Sequence, residues 1–481
     1  MKRRAVLIAA LAAACGCATL PTCPAKGGTP WLELETSHFL LRTNYGESDA
    51  RELLLTLEET RAALLATVWP NTPDPPIQTR VIAVDSVKES IAYFPDRAVS
   101  ITYPLPPFPP TAVLGPRWRP HGFGVLALQL AEELSSHSLP LQPTWYSLGI
   151  GTFVETMTYD RSSQTVTIGE PPIGPFIATR QNTIPASLLI SLEGPPPEKK
   201  SDSFQGYSWF LFRYLIDSDP AGLARFQDLI RAMVPAEEAW RRAFPTLTYE
   251  RVDKALSEYK SIRTFSTLQG HVVPPPYTVK VRRLPDATVH AQRAFLLYGR
   301  NGIEPRSGRD FRAELDEAFA EDRNDIEALA LAFRLAEGAA ERRGLAQRAI
   351  AAHPDSGLAA VMLADELDER DPAARAALVH ALISAPRSGE LMWRLARAEA
   401  ALGNWPPARR FAEQAIRMGG SKNRPLLHIY AEALARTGSC AESSYVMERI
   451  QQQVTGAEGV QADARGRELA ELCRQTPPAA P

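Results

Sequence analysis

The stretch from Val125 to Glu155 limits the function of this chain more than any other part of the sequence. Its first half has apolar residues at helical spacing and ends in Ala-Glu-Glu-Leu-Ser-Ser-His. Its second half opens with Pro143 and Trp145 and predicts another helix through Phe153. Residues four apart in such helices share one face, so the side chains near residues 132–137 decide which chemistry the segment supports.

The order of residues here resembles the active-site segment of the gluzincin peptidases, a group of zinc peptidases. In that family, H-E-x-x-H places two imidazoles on one helical face with a glutamate between them as general base. A second helix carries the third ligand in the pattern W-x-x-E-G-x-A-x-(Y/F). Residues 132–136 of this chain read Glu-Glu-Leu-Ser-Ser, and residues 145–153 read Trp-Tyr-Ser-Leu-Gly-Ile-Gly-Thr-Phe. The resemblance covers about residues 30–265 and implies an α+β, thermolysin-like fold for that part.

The ligands of the family are absent at the matching positions. Carried over residue by residue, the resemblance puts Glu132 and Ser136 at the two histidine positions, Glu133 at the general base and Leu148 at the third ligand. Leu148 has no donor atom, and a serine hydroxyl is a poor zinc ligand because it would have to ionise far below its free pKa. Without a metal no water is acidified, so Glu133 has nothing to activate. We therefore predict no catalytic residues, no metal and no cofactor.

A shifted metal site is the alternative. Glu133 and His137 are also four residues apart, and Glu155 follows downstream, so these three side chains form a conceivable ligand set. A shift of one residue turns the helical face by roughly 100°, which points the pair away from the family's pocket. The simpler interpretation of His137 is a histidine near a helix C-terminus, where its charge suits the helix dipole.

The N-terminus predicts export with a lipid anchor. Lys2–Arg4 is followed by the ten apolar residues Ala5–Ala14, which are too few to span a bilayer and are typical of a signal peptide. Three alanines stand directly before Cys15, as in a bacterial lipoprotein cleavage site, so Cys15 is the predicted lipidation site. An ordinary cleaved signal peptide is the alternative, and Cys17 is a second lipidation candidate. Of the remaining cysteines, Cys440 and Cys473 lie on consecutive predicted helices, where they form either a disulfide or two buried thiols.

From Pro285 onward the chain predicts stacked helical repeats. Ala318, Ala349, Ala381 and Ala415 take matching places in four segments, with spacings of 31, 32 and 34 residues. This period is close to that of tetratricopeptide repeats, and residues 395–416 also resemble that repeat. Small alanines let two helices approach, and each helical pair buries its apolar face only against a neighbouring pair. We expect about five helical pairs forming an all-α, tetratricopeptide-like superhelix.

These patterns give a domain plan for all 481 residues. We predict a signal peptide over residues 1–14, a lipid tether over 15–28, a degenerate gluzincin-like domain over 29–265, a linker over 266–284, tetratricopeptide-like repeats over 285–475 and a tail over 476–481. The N-terminal elements include strands over 31–35, 39–43 and 79–84 and a helix over 48–67. The aromatic cluster of Tyr207, Trp209, Phe210 and Tyr214 is expected in the core.

Three functions fit the plan. The first is a lipid-anchored, non-catalytic protein of the cell envelope that binds a protein or peptide partner through its repeats and its former peptidase cleft. The second is an active metallopeptidase with a non-standard ligand set, and the third is a repeat scaffold with a purely structural N-terminal domain. A net charge of −2 gives no electrostatic case for nucleic acid. Missing ligands favour the first and third functions over the second.

Overall fold

The structure is a computed structural model that describes residues 24–475, with gaps at 71, 76, 94–99, 104–107, 109–110, 117, 263, 301–309, 385–387 and 455. It has a small mixed sheet and many helices and belongs to the α+β class, as predicted. The predicted signal peptide, Cys15, Cys17, Cys23 and the tail lie outside the described residues. Within the described ranges, no helix has the length and apolar character needed to cross a membrane.

The described residues contain two sheets. The strands are β1 (Leu32–Glu35), β2 (Phe39–Thr43), β3 (Thr79–Ala83), β4 (Ser100–Tyr103), β5 (Thr111–Leu114), β6 (Thr158–Asp160), β7 (Thr165–Ile168), β8 (Leu268–His271) and β9 (Lys280–Arg283). The larger sheet has the order β4-β5-β3-β2-β1-β9, and the smaller has the order β6-β7-β8. In the larger sheet β2 and β5 are parallel to β3, and the other neighbours are antiparallel. The smaller sheet is antiparallel throughout.

The parallel pair β2 and β3 explains the long helix between them. Parallel neighbours need a crossover connection, and the helix Glu47–Val68 supplies it. The predicted helix over 48–67 is confirmed within one residue at each end. Every residue of β3 is buried, which agrees with its central place in the sheet.

Two compact units divide the chain, and they do not follow the predicted linker. One unit consists of residues up to Leu54, Gln78–Pro120 and Tyr277–Ala332, and the other takes Leu55–Ile77, His121–Pro276 and the chain from Phe333. The stretch 266–284 is predicted as a linker with a short strand. It contains two short strands, β8, which pairs with β7, and β9, which pairs with β1.

A buried ion cluster holds the first unit together. The carboxylate of Glu327 accepts from Arg42 Nη1 at 2.6 and 2.7 Å and from Arg80 Nη2 at 2.9 Å. Glu33 accepts from Arg42 Nε at 2.7 Å and from Arg282 Nε at 2.6 Å. Burial alone would raise the pKa of Glu327, but the charges of Arg42 and Arg80 outweigh it and lower the pKa to about 2. The helix Ile326–Leu335 is therefore fixed by ion pairs to strands β2 and β3.

The described chain before residue 339 contains further helices. Their bounds are Val87–Tyr93, Trp118–Ser138, Thr144–Val154, Ile173–Gln181, Ala186–Ser191, Ser201–Ser218, Pro220–Arg231, Ala236–Ala243, Tyr249–Ser261, Asp286–Arg300 and Asp310–Glu321. Short 3-10 turns cover Pro24–Lys26, Glu198–Lys200 and Gly420–Lys422. The helix Ser201–Ser218 carries the aromatic cluster, in which Tyr207, Trp209 and Phe210 are buried as predicted and Tyr214 is half-buried.

Eight consecutive helices follow in the second unit, and we call them the helical array. They are Ala339–Ala352, Gly357–Glu366, Pro372–Ser384, Gly389–Ala401, Trp405–Arg417, Arg424–Arg436, Cys440–Gln452 and Gly456–Gln475. Ser356, Ser388 and Asn423 cap three of them, each accepting a backbone N–H three residues further on. All four alanines of the predicted repeat are buried.

An ion-pair ladder repeats along the array. Arg342 donates to Glu366 at 2.6 Å and Arg375 to Glu399 at 2.7 Å, both across 24 residues of sequence. The second pair thus lies 33 residues further along the chain than the first. Each glutamate is nearly buried, so the arginine of the preceding helix compensates its charge. Cys440 and Cys473 form a disulfide with a Cα–Cα distance of 5.7 Å. It joins the helix Cys440–Gln452 to the last helix of the array.

The first prediction concerns the ion cluster. Glu327→Gln should lower the free energy of unfolding by about 3–5 kcal/mol, because two buried arginines lose their shared counter-ion. The contribution of Glu327 should be complete above its unfolded-state pKa of about 4.3 and should disappear as the pH falls towards 2. Denaturant unfolding between pH 7 and pH 2 measures both effects.

Glu317→Gln is the matched control, because it removes the partner of an exposed Lys26 in the same unit. That variant should not change stability measurably. An equal loss in the two variants would contradict the role given to the buried cluster.

Candidate functional site

The upstream helix of the motif segment, Trp118–Ser138, leaves the ligand-position side chains on a partly exposed face. Glu132 is exposed, and Glu133 and Ser136 are half-buried. The hydroxyl of Ser136 donates to the backbone carbonyl of Glu133 at 2.8 Å. Ser135 is buried, donates to the carbonyl of Glu132 at 3.1 Å and accepts from Gln142 Nε2 at 3.0 Å. The hydroxyls of Ser135 and Ser136 are thus bonded within the motif segment itself.

The second helix of the motif segment, Thr144–Val154, begins after Pro143 and is mostly buried. Trp145 packs its ring against Phe226 and Trp240, with centroids 5.4 and 5.8 Å away. Leu148 is half-buried, and its backbone carbonyl accepts from Thr152 Oγ1 at 2.7 Å. The tryptophan of the motif therefore anchors the helix in an aromatic core, and the third-ligand position presents an alkyl group.

Glycines allow the motif helices to approach their neighbours. A Cβ atom on Gly124 would overlap the backbone oxygen of Glu155, and one on Gly151 would lie 3.1 Å from Leu128 Cδ1. On the other side, a Cβ on Gly149 would lie 2.7 Å from the carbonyl oxygen of Ser208. The spacing of the two motif helices and of the helix Ser201–Ser218 is thus set by missing side chains.

The described part of the chain brings no three His, Cys, Asp or Glu side chains into a group that could hold a metal ion. Glu133, His137 and Glu155, the alternative ligand set, all lie in the described part of the chain. Their side chains do not come together as a group that could hold a metal ion. At the family's ligand positions, Leu148 offers no donor atom, and the hydroxyl of Ser136 is bonded to a backbone carbonyl. Glu132 is the one position of the three that carries a carboxylate.

His137 belongs to a different environment from the one that its sequence position predicts. Its Nδ1–H donates to the backbone oxygen of Arg417 at 2.6 Å. Burial lowers the pKa of His137 to about 4, although the bond to Arg417 acts in the opposite direction. The side chain is therefore neutral near pH 7, so a favourable charge at the helix C-terminus is not its role.

Glu155 directly follows the second helix and is mostly exposed. Desolvation by its surroundings raises the pKa of its carboxyl group. Its side chain is not brought together with His137, so the proposed metal-binding combination gains no support from Glu155.

The loop Leu139–Pro143 joins the two motif helices through a tight turn. The N–H of Gln142 donates to the carbonyl of Leu139 at 3.2 Å, Pro140 is the second residue of the turn, and Leu141 is the third with φ +58°. A type II turn has a positive φ at its third residue, where glycine is the usual residue, and proline is common at its second. Leu141 adopts this conformation although its side chain is buried.

A helix from the far end of the chain contacts this loop. Arg449, on the array helix Cys440–Gln452, donates to the carbonyls of Leu141 and Gln142 at 3.2 and 3.0 Å and forms a short ion pair with Glu193. The hydroxyl of Tyr445 donates to the Leu141 carbonyl at 3.3 Å. Burial raises the pKa of Glu193 to about 7, against the opposing charge of Arg449.

Two more contacts join the array to the same region. Arg417 Nη1 donates to the carbonyl of Arg231 at 3.0 Å, at the end of the helix Pro220–Arg231. The hydroxyl of Tyr430 lies 3.7 Å from Met233 Sδ, where it forms a weak hydrogen bond. Sequence reasoning placed the array in a separate domain and missed these residues. Arginines on an array helix carry no local signal that distinguishes a carbonyl-binding side chain from a solvated one.

In comparisons with known proteins, no protein-family model, no curated protein and no solved structure matched this chain. The functional interpretation therefore depends on the motif segment and on the geometry around it.

The second prediction tests the close approach of the motif helices. Gly124→Ala should lower the free energy of unfolding by about 1–3 kcal/mol, because the added methyl group overlaps a backbone oxygen that cannot move alone. Gly344→Ala is the matched control, since Gly344 lies in an array helix with open space around it. That change should raise stability by up to about 1 kcal/mol, the helix-propensity difference. Thermal denaturation measures both, and a neutral Gly124→Ala would contradict the packing argument.

Proposed function

We propose that this protein is an exported, lipid-anchored and non-catalytic relative of the gluzincin peptidases that binds a protein or peptide partner. Its N-terminal part is proposed to keep the peptidase-like arrangement of helices without the metal chemistry. The helical array is proposed to be of the tetratricopeptide type and to contribute a second binding surface.

The observation that carries the proposal is the chemistry of the ligand positions. A catalytic zinc needs three protein ligands with nitrogen, sulfur or carboxylate donors and an open fourth position. Leu148 cannot donate, and Ser136 is engaged by the carbonyl of Glu133. Glu132 supplies one exposed carboxylate, so two of the three required ligands are missing. In the same segment, Trp145 packs into an aromatic core and the glycines allow close contacts with neighbouring helices.

A sheet edge next to the motif offers a way to bind an extended peptide without a metal. Strand β6 begins shortly after the second motif helix and forms one edge of the smaller sheet as described. Tyr159 of β6 packs against Phe123 of the upstream helix, with ring centroids 5.4 Å apart. An added peptide strand would bond to the backbone of this edge, and that form of recognition depends on main-chain groups.

The repeat assignment rests on the period of the array. The ladder of arginine and glutamate pairs, the capping residues and the buried alanines recur at about the same interval, and consecutive helices pack on one another. Stacks of this kind present extended surfaces for partner chains. We therefore propose a protein or peptide partner and no nucleic acid.

The third prediction is that the purified protein contains far less than one zinc per chain and cleaves no peptide. One carboxylate on a helix should hold zinc no better than an ordinary surface acid. Elemental analysis of protein purified without chelator, together with mass spectrometry of a peptide mixture after incubation, measures both. About one zinc per chain that is lost in His137→Ala would favour the active metallopeptidase alternative.

A converse variant tests the resemblance itself. Glu132→His, Ser136→His and Leu148→Glu together restore the family's ligands, and the triple variant should bind zinc if the helices have the family's spacing. The variant with Leu148→Glu alone is the control, because one carboxylate added to Glu132 does not complete a site. A folded triple variant without zinc would argue against the gluzincin relationship.

The fourth prediction concerns the proposed lipid anchor. Cys15→Ser should move the protein from the membrane fraction to the soluble fraction, because acyl chains would supply most of the membrane affinity. Cys17→Ser is the matched control and should leave the protein in the membrane fraction. Intact-mass analysis should find acyl groups on a mature chain that begins at Cys15, and an unmodified mature chain would contradict the proposal.

A further inference from the structure

Two buried residues of the second unit have a backbone conformation that non-glycine residues rarely adopt. Leu141 has φ +58° and Met233 has φ +61°, and both side chains are buried. The left-handed conformation costs about 1–2 kcal/mol for a residue with a Cβ atom. Such conformations persist where surrounding contacts hold them. Both residues end or connect helices next to the motif segment.

The helical array contacts both strained positions. Arg449 and Tyr445 donate to the carbonyl of Leu141, and Tyr430 reaches the sulfur of Met233. Gln164 is the one other non-glycine residue with positive φ in the described chain, and it lies in the turn between β6 and β7. Strain beside the motif thus coincides with contacts from one distant part of the chain.

Arg449 is suited to this task by its shape. Its planar fork reaches two successive carbonyls, of Leu141 and Gln142, and also the carboxylate of Glu193, while 9% of its side chain is exposed. A lysine ammonium is a single point of charge and cannot span three acceptors in this geometry. Glu193 is fixed in turn, since its N–H donates to Gln452 Oε1 of the same array helix at 2.9 Å.

We propose that Arg449 is a positioning residue for the motif segment. From the array it holds the Leu139–Pro143 loop in its left-handed turn and thereby fixes how the second motif helix continues from the first. The array is then a component of the motif site as well as a partner surface. The effect of Arg449 on the loop does not depend on the proposed function.

The carbonyl bonds are expected to matter more than the ion pair. Burial works against the charge of Glu193, so this carboxylate gains less from Arg449 than its short contact suggests. Arg449 and Tyr445 are the titratable groups that face Glu193 from the array helix. Glu193→Gln retains an acceptor and should disturb the loop less than any change at Arg449.

The test is hydrogen–deuterium exchange of the full chain, read at Leu139, Leu141 and Gln142, the three residues of the Leu139–Pro143 loop that carry a backbone N–H. Arg449→Gln and Arg449→Lys should each raise exchange at these amides at least about tenfold. Tyr445→Phe removes one bond to the Leu141 carbonyl and should give a smaller increase in a protein that keeps its packing. Amides of the helix Ser201–Ser218 should be unchanged in all three.

Arg465→Gln is the matched control, because it breaks pairs with Glu432 and Glu468 within the array and does not touch the loop. Wild-type exchange rates at the loop amides in Arg449→Lys would overturn the proposal. A positive charge and an alkyl side chain would then be enough to hold the loop. Equal loop exchange in Arg449→Gln and Arg465→Gln would also overturn it, because general loosening of the array would explain both. Lack of peptide binding by the wild type would refute the proposed function and leave the exchange result standing.

Discussion

The first unit depends on one carboxylate that cannot be buried alone. Glu327 lies between Arg42 of β2 and Arg80 of β3, and its charge is compensated only while all three side chains stay together. An unpaired charge in such surroundings would cost several kcal/mol, roughly the net stability of a domain. The helix Ile326–Leu335 must therefore pack against strands that lie far earlier in the chain. Arg42 of β2 precedes Glu327 by 285 residues. This requirement explains why the first unit continues through the composition change at Pro285.

A different constraint organises the second unit. Leu141, in the turn after the upstream motif helix, and Met233, just after the helix Pro220–Arg231, adopt left-handed conformations that glycine would adopt without strain. Both side chains are buried, so glycine there would lose apolar contacts. The array supplies hydrogen-bond donors to both residues. The chain thus has a buried leucine and a buried methionine at positions where the backbone conformation is unfavourable for them. Motif and array are thus one packed structure, although their sequences suggest separate domains.

Local elements of the fold could be predicted from the sequence, and long-range partners could not. The helix over 48–67, the strands before it and the buried alanines followed from periodicity, because a residue's face depends on its own neighbours. The pairing of β9 with β1 and the bond from Arg449 to Leu141, across 308 residues, carry no periodic signal. At the site, the sequence located Glu132, Ser136 and Leu148 on the motif helices. It gave His137 a charge that burial removes, and it missed Arg449 and Arg417 because basic residues on an array helix usually face solvent. It also missed Tyr445, whose partner lies far away in the sequence.

The packing of the motif segment does not require a metal. Gly124, Gly149 and Gly151 set helix spacing through the absence of side chains, so that spacing is independent of what the ligand positions carry. Ser136 and His137 find their partners in backbone carbonyls, of Glu133 and Arg417, which satisfy their donors within the folded chain. A zinc site fixes its helices by coordination, whereas here hydrogen bonds, aromatic packing and a distant arginine do so. Introducing three ligands would therefore add a metal to a segment that is already held in place, and metal binding to the folded state would add to its stability as the metal concentration rises above the dissociation constant.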